Sequence, residues 1–262
     1  MCESKINHLK GYNLFGMVKS IKLETFETKL IAGKIKKGDK LAKSNFGFEE
    51  LEFNINGNLN KINIYNSEGK LIQQNIYKYS NNQNLIEHLV YTEEGLFDKT
   101  EYYYDDKGIE IGHRSFLFGN ILVDHSIHKY NSNGSYEKTL CYDNNGILDY
   151  INYETINENG GVVEFMRCKP DGTITERFES VFDELNREKE RTFTVSRLWH
   201  KTVTIYDIWH NEVEEITFHT EDIIDYHRIN EYVFDEKNNW IRKTSVENGV
   251  PKEIVVREIE YF

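Results

Sequence analysis

Tyr130 to Leu148 reads YNSNGSYEKTLCYDNNGIL, and this stretch decides the architecture. An aromatic is followed by a polar turn closing on Gly134, a short strand, a second aromatic and a second turn closing on Gly146. Asn, Asp and Gly suit such turns because they tolerate positive φ and hydrogen-bond their own backbone. The segments between turns are short and rich in Tyr, Phe, Ile and Thr, which is strand composition.

The same frame recurs outward from this stretch. The aromatic before each turn falls at Phe53, Tyr65, Tyr79, Tyr91, Tyr104, Tyr130, Tyr142, Phe182, Tyr206 and Phe234, with Cys168 in the same position. Spacings are 12 to 14 residues or about twice that, so two strands and two turns make a repeat of about 26 residues. The skipped half-units fall near residues 117, 155 and 194. Asn186, Asn211 and Asn239 stand where the turn glycine is expected, Asn being the next most tolerant of φ > 0. Alternation puts Tyr77 with Tyr79, Tyr102 with Tyr104, and Tyr232 with Phe234 on shared faces. The expectation is an all-β protein: an antiparallel meander of about 16 or more short strands, curled into a spiral, barrel-like or elongated sheet.

The organisation expected is a non-repeat segment, residues 1–45, followed by the repeat domain, residues 46–262. Alternation within 14–31 suggests a first hairpin or a pair of edge strands, and AGKIKKGDKLAKS (32–44) reads as a basic loop. The first segment would cap one end of the sheet, and Ile254 to Phe262 the other. DELNREKER, beginning at Asp183, is in register and reads as a turn and strand start rather than a helix.

Charge narrows the function. The net charge is −12 over 262 residues. Residues 1–45 hold ten lysines and four acids, formally +6, which leaves −18 for the remainder. That balance argues against nucleic-acid binding, which needs a basic face, and suits a basic protein partner. Cys2, Cys141 and Cys168 have neither disulfide-framework nor metal spacing. No apolar run reads as a targeting or membrane-spanning segment, which favours the cytoplasm. The alternative is a lipid-anchored envelope protein, with Cys2 the lipidated residue.

The four motifs YDDKG at Tyr104, YDNNG at Tyr142, FDELN at Phe182 and FDEKNNW at Phe234 resemble the YD repeats of the Rhs class. The C-terminal FDEKNNWIRKTSVENGVPKEIVVREIEYF is similar to the closing segment of small stand-alone YD-repeat proteins of Bacteroidetes-type bacteria. The resemblance covers residues 46–262 and implies a β shell or spiral that encloses or binds without catalysis. Large Rhs proteins carry a toxin domain and an autoproteolytic Asp-Pro; this sequence has no Asp-Pro. The resemblance to MORN-like repeats of antitoxins is looser, because their glycine pattern is not met consistently.

No hydrolase, metalloprotease, Walker or dinucleotide motif is present, so the expectation is no catalytic residue, no cofactor and no metal. His125 and His128 are three apart and on a regular strand point to opposite faces; His219 and His227 flank an expected turn. The short acidic turns offer too few ligands for calcium. The candidate binding residues are Trp199, His200, Trp209, His210, Trp240 and Tyr103. The two Trp-His pairs in WHKTVTIYDIWH share a face if one unbroken strand joins them. Such a patch would grip a protein or stack on a glycan. The expected function is a non-catalytic binding protein, an immunity protein or antitoxin sequestering a basic toxin domain. The alternative is an envelope lipoprotein that binds glycan or another surface component. Uncovered edge strands would permit a homodimer.

Overall fold

The computed structural model describes residues 8–41, 48–131, 135–195, 198–220 and 223–262. Cys2, Gly134, Phe46 and the expected boundary at residue 45 lie outside them. In chain order the strands begin with β1 (Val18–Ile31), β2 (Lys34–Lys40), β3 (Phe48–Phe53), β4 (Leu59–Tyr65), β5 (Leu71–Tyr79) and β6 (Leu85–Thr92). Next are β7 (Gly95–Tyr104), β8 (Glu110–Leu117), β9 (Ile121–Tyr130), β10 (Tyr136–Asp143), β11 (Leu148–Ile156) and β12 (Val162–Cys168). They continue with β13 (Ile174–Phe182), β14 (Glu188–Val195), β15 (Leu198–Tyr206), β16 (Glu212–Thr220) and β17 (Ile223–Phe234). The last are β18 (Trp240–Glu247) and β19 (Val250–Tyr261), and the one helix among the described residues is α1 (His8–Gly11). All 19 strands belong to one sheet, and the ladders described here are antiparallel.

The turns follow one design. Asp143 N–H donates to the Ile147 carbonyl at 2.9 Å, and Gly146 N–H donates back to the Asp143 carbonyl at 3.1 Å. The Asp143 carboxylate accepts two further backbone N–H groups, from Asn145 and Ile147, at 2.9 and 2.8 Å. The strands then meet one residue out of step, Tyr142 opposite Leu148, which is the bulge a left-handed residue produces. Asn54, Asn66, Asp105, Asn157, Asp183, Asp207 and Asp235 take the same two backbone N–H groups. The left-handed residue sits three places after this acceptor. It is Asn186 in one turn as expected, but His210 (φ 67) and Asn238 (φ 65) replace the expected Asn211 and Asn239.

A second recurring tie explains why tyrosine often precedes the turn. Tyr79, Tyr130 and Tyr206 each donate their hydroxyl to the backbone carbonyl at the start of the preceding strand: Leu59 at 2.6 Å, Glu110 at 2.7 Å and Glu188 at 2.8 Å. Tyr232 does the same to Glu212 at 2.9 Å. Each bond satisfies a carbonyl where ladder pairing starts.

The chain divides into two compact units. The first comprises Met1–Lys99, Asp207–Val213 and Arg228–Phe262. The segment read as a cap and basic loop is organised differently here. Residues 18–31 form one strand, and β2 turns the lysine-rich loop into a ladder with residues 26–31 of β1. β1 is flanked by β19 on one side, Val18 opposite Tyr261, and by β3 on the other, Leu23 opposite Glu49. The two segments expected at opposite ends are thus neighbours, paired directly as β1 and β19. Val18, Ile21, Leu51, Phe53 and Leu59 pack with Leu9 and Leu14 into an apolar core on one face of this ladder. Fully burying each such side chain contributes about 1.5–3 kcal/mol.

The second unit comprises Thr100–Tyr206 and Glu214–His227. Here β8 to β15 run as a plain meander, each strand paired with the next. Its cross-strand pairs include stacked rings, His125 on Tyr142 and Phe165 on Phe178. They also include ion pairs such as Arg177–Glu164 and Lys201–Glu190.

Candidate functional site

The unbroken strand that would join the two Trp-His pairs is not formed. β15 ends at Tyr206, and Trp209 lies in the turn that follows, so no unbroken strand joins it to Trp199. Trp209 packs edge-on against Phe15 with ring centroids 5.9 Å apart. The backbone carbonyl of His210 accepts from Asn13 Nδ2 at 2.8 Å. Both residues therefore hold the N-terminal segment. Trp240 is 8% exposed, with the Arg257 guanidinium 3.4 Å from its ring centre, and is a packing residue. Burial brings the Arg257 pKa down to about 9, and the Tyr232 and Tyr12 hydroxyls partly offset it.

Three of the predicted residues are in the second unit. Trp199 is half-buried opposite Thr194, and His200 leans on Phe193 with centroids 4.8 Å apart. Tyr103 is exposed on one face; its hydroxyl donates to Glu101 at 2.8 Å, and Arg114 lies over its ring. Cys141 and Cys168 are buried free thiols.

The ladder β19–β1–β3 carries a feature that the aromatic frame did not point to. Alternation places Ile21, Leu51 and Leu23 toward the core, and their neighbours Ser20, Lys22, Glu50, Glu52, Glu258 and Glu260 on the opposite face. Ser20 lies between Glu52 and Glu260, and Lys22 between Glu50 and Glu258. With Lys19 they line a groove of about 670 Å³ in which four carboxylates meet two ammonium groups. Lys19 bonds Glu260 at 2.7 Å, Lys61 bonds Glu52 at 2.6 Å, and Glu258 has Lys22 only at 3.9 Å. The Lys19 ammonium and Ser20 hydroxyl keep the Glu260 carboxyl below its ordinary range. The sequence signal was present: acidic residues at alternate positions of 50–52 and 258–260. Its meaning depended on β1 lying between those segments.

A second cluster, in the second unit, joins Glu110 with His113 and His128. His113 is opposite Ser126, so His128 is its diagonal neighbour on the same face. Glu110 is three residues from His113 and belongs on the other face of a regular strand. Gly112 removes that conflict: at φ 150 it interrupts the alternation. A Cβ there would stand 2.1 Å from the Ser126 carbonyl oxygen, so glycine is required. His128 Nε2 is 3.2 Å from the Glu110 carboxylate. Its Nδ1 is 2.7 Å from Thr139 Oγ1, and His113 Nδ1 is 2.8 Å from Ser126 Oγ. Burial lowers the His113 pKa against the opposing pull of Glu110 and Asp124. His125 faces away and stacks on Tyr142. His227 pairs with Glu214 at 2.7 Å, while His219 is exposed.

No family model matches the chain, and no curated protein matches it in sequence. Among solved structures, a porin-like protein from Bacteroides uniformis is similar, with TM-score 0.45 and 11% identity over 93% of this chain and 98% of that one. A porin-like protein from Bacteroides vulgatus has TM-score 0.38 and 12% identity over 92% and 98% of the two chains. A chain of the TcdB2-TccC3-TEV structure has TM-score 0.37 and 12% identity over 84% of this chain, which spans 12% of that chain's length. These likenesses are too loose to lend the chain any property of those proteins. Its own repeated turns and ladders define it as an all-β antiparallel repeat protein.

Proposed function

We propose that the chain is a non-catalytic binding protein that captures a basic protein partner, acting as an immunity protein or antitoxin against a toxin domain. The observation that carries this reading is the glutamate-rich groove on β19–β1–β3. It lies on the back of the apolar core of the first unit, so its glutamates stand on well-packed strands. Fixed carboxylates in rows favour a partner presenting Lys or Arg, through complementary charge and a fast, steered approach. The −18 balance of residues 46–262 extends the same preference beyond the groove. The YD-like turns, with their Asp or Asn locked to the backbone, support the resemblance to proteins that enclose or bind.

Affinity capture from the protein's own cells, with mass spectrometry of the bound material, tests the proposal. One stoichiometric basic protein is expected, released as ionic strength rises and not retained by Glu50→Lys/Glu258→Lys. Recovery of envelope polysaccharide alone, or of no partner, would overturn it.

A further inference from the structure

We propose that Glu110, His113 and His128 bind a divalent transition-metal ion of the zinc class. This inference is independent of the partner-binding reading. Each residue offers one ligand atom, and all three atoms lie within 4.8 Å of one another. Tetrahedral zinc with bonds of about 2.0–2.1 Å places its ligand atoms roughly 3.3 Å apart. His128 Nε2 and the Glu110 carboxylate are already at 3.2 Å, so rotamer adjustment of His113 completes the set.

The outer contacts are those a metal site needs. A ligating imidazole is fixed by a hydrogen bond at its other nitrogen. Both histidines have that bond at Nδ1, to Ser126 Oγ at 2.8 Å and Thr139 Oγ1 at 2.7 Å. This leaves Nε2 of each as the coordinating atom. The hydroxyl residues are only 6% and 7% exposed, so these bonds are shielded from competing water. Tyr136 fixes the Thr139 hydroxyl in turn at 2.7 Å. Among the described residues no lysine or arginine lies within ion-pair distance of Glu110, and its carboxylate faces the two rings instead. Two neutral imidazoles and one carboxylate suit zinc, cobalt, nickel or copper better than calcium or magnesium, which take oxygen ligands. Three protein ligands leave a fourth position for water or a ligand group.

Titration of the purified chain with Zn²⁺ against a chromophoric chelator should show one equivalent bound. Co²⁺ should give the visible absorption of a four- or five-coordinate ion. Ser126→Ala and Thr139→Val, which keep all three ligands, should each weaken binding by about 10–100-fold. Glu110→Gln and His128→Ala should weaken it further, and His125→Ala should leave it unchanged. Circular dichroism establishes that each variant is folded. No uptake by the native chain would overturn the proposal. So would undiminished uptake by a folded Glu110→Gln/His128→Ala variant, which would leave Glu110 and the histidines as a hydrogen-bonded group only.

Discussion

The two units of this chain use one repeat to build sheets stabilised in different ways. In the first, seven buried apolar residues from α1, the segment after it, β1, β3 and β4 form a contiguous core. In the second, the buried side chains are Cys141, Phe165 and Cys168 together with the hydroxyls of Ser126, Thr139 and Ser180. An apolar core is indifferent to orientation, whereas a buried hydroxyl must find a partner or cost about 1–3 kcal/mol. Ser126 and Thr139 find theirs in His113 and His128. The first unit therefore adds a contiguous apolar core to its buried polar pairs, such as Ser245 with Asn230, whereas the second relies on turns, stacked rings and polar pairs.

The largest expected effect breaks the first side of that contrast. Leu51 is 2% exposed at the centre of the core, and Leu51→Ala should cost about 2–5 kcal/mol in urea unfolding. Ser180→Ala removes a buried hydroxyl that has no hydrogen-bond partner and should be near neutral. Equal losses would show that packing matters alike in both units. Gly112→Ala tests the positive-φ position in β8. Its Cβ would meet the Ser126 carbonyl oxygen at 2.1 Å, so the backbone must move, at a cost of about 1–3 kcal/mol. Loss of the Glu110–His128 contact, read from histidine ring NMR shifts, should accompany it.

Asn239→Ala sharpens the comparison from the polar side of the first unit. The Asn239 side chain is fully buried, accepts from Phe15 N–H at 2.7 Å and donates to the Phe15 carbonyl at 2.9 Å. Two orphaned backbone groups should cost about 1–3 kcal/mol, with faster hydrogen exchange at Phe15. The smallest effect is at the turns. Ile147 and Asn145 N–H groups hold the Asp143 carboxyl below its ordinary range. A lowered carboxyl contributes stability above its unfolded pKa, near 4, that is lost as pH falls through the folded value. Asp143→Asn keeps the acceptor and should remove that acid dependence; Asp143→Ala should lower the melting temperature more. An unchanged acid limb in Asp143→Asn would assign the dependence to other carboxylates.

Much of the fold was legible because its signals are local. The acceptor, the left-handed residue and the bulge all fall within six residues, and 17 strands follow residue 46 where about 16 were expected. The errors arise where a local count slipped or a distant segment decided the outcome. In DIWHN and DEKNN the Asn stands one place beyond the left-handed position, which counting from the Asp finds. The Trp-His patch depended on an unbroken strand from Trp199 to Trp209, which the turn marked by Asp207 interrupts. Glu110 and His113 drew no notice, because regular alternation, which Gly112 suspends, would put them on opposite faces. The role of β1 was hidden because its partners are β3 and, near the other end of the sequence, β19.

That last pairing has a consequence for how the molecule comes into being. A ribosome adding about 5–20 residues per second needs roughly 10–45 s to pass from Ile31 to Val250. Throughout that interval Ile21 and Leu23 can pair with β3, but their other flank has no β19 to meet. The nascent chain therefore carries an open, strand-forming edge on β1 until β19 emerges to pair with it. The vulnerable interval in the biogenesis of this sheet is the wait for β19, not the formation of the first hairpin.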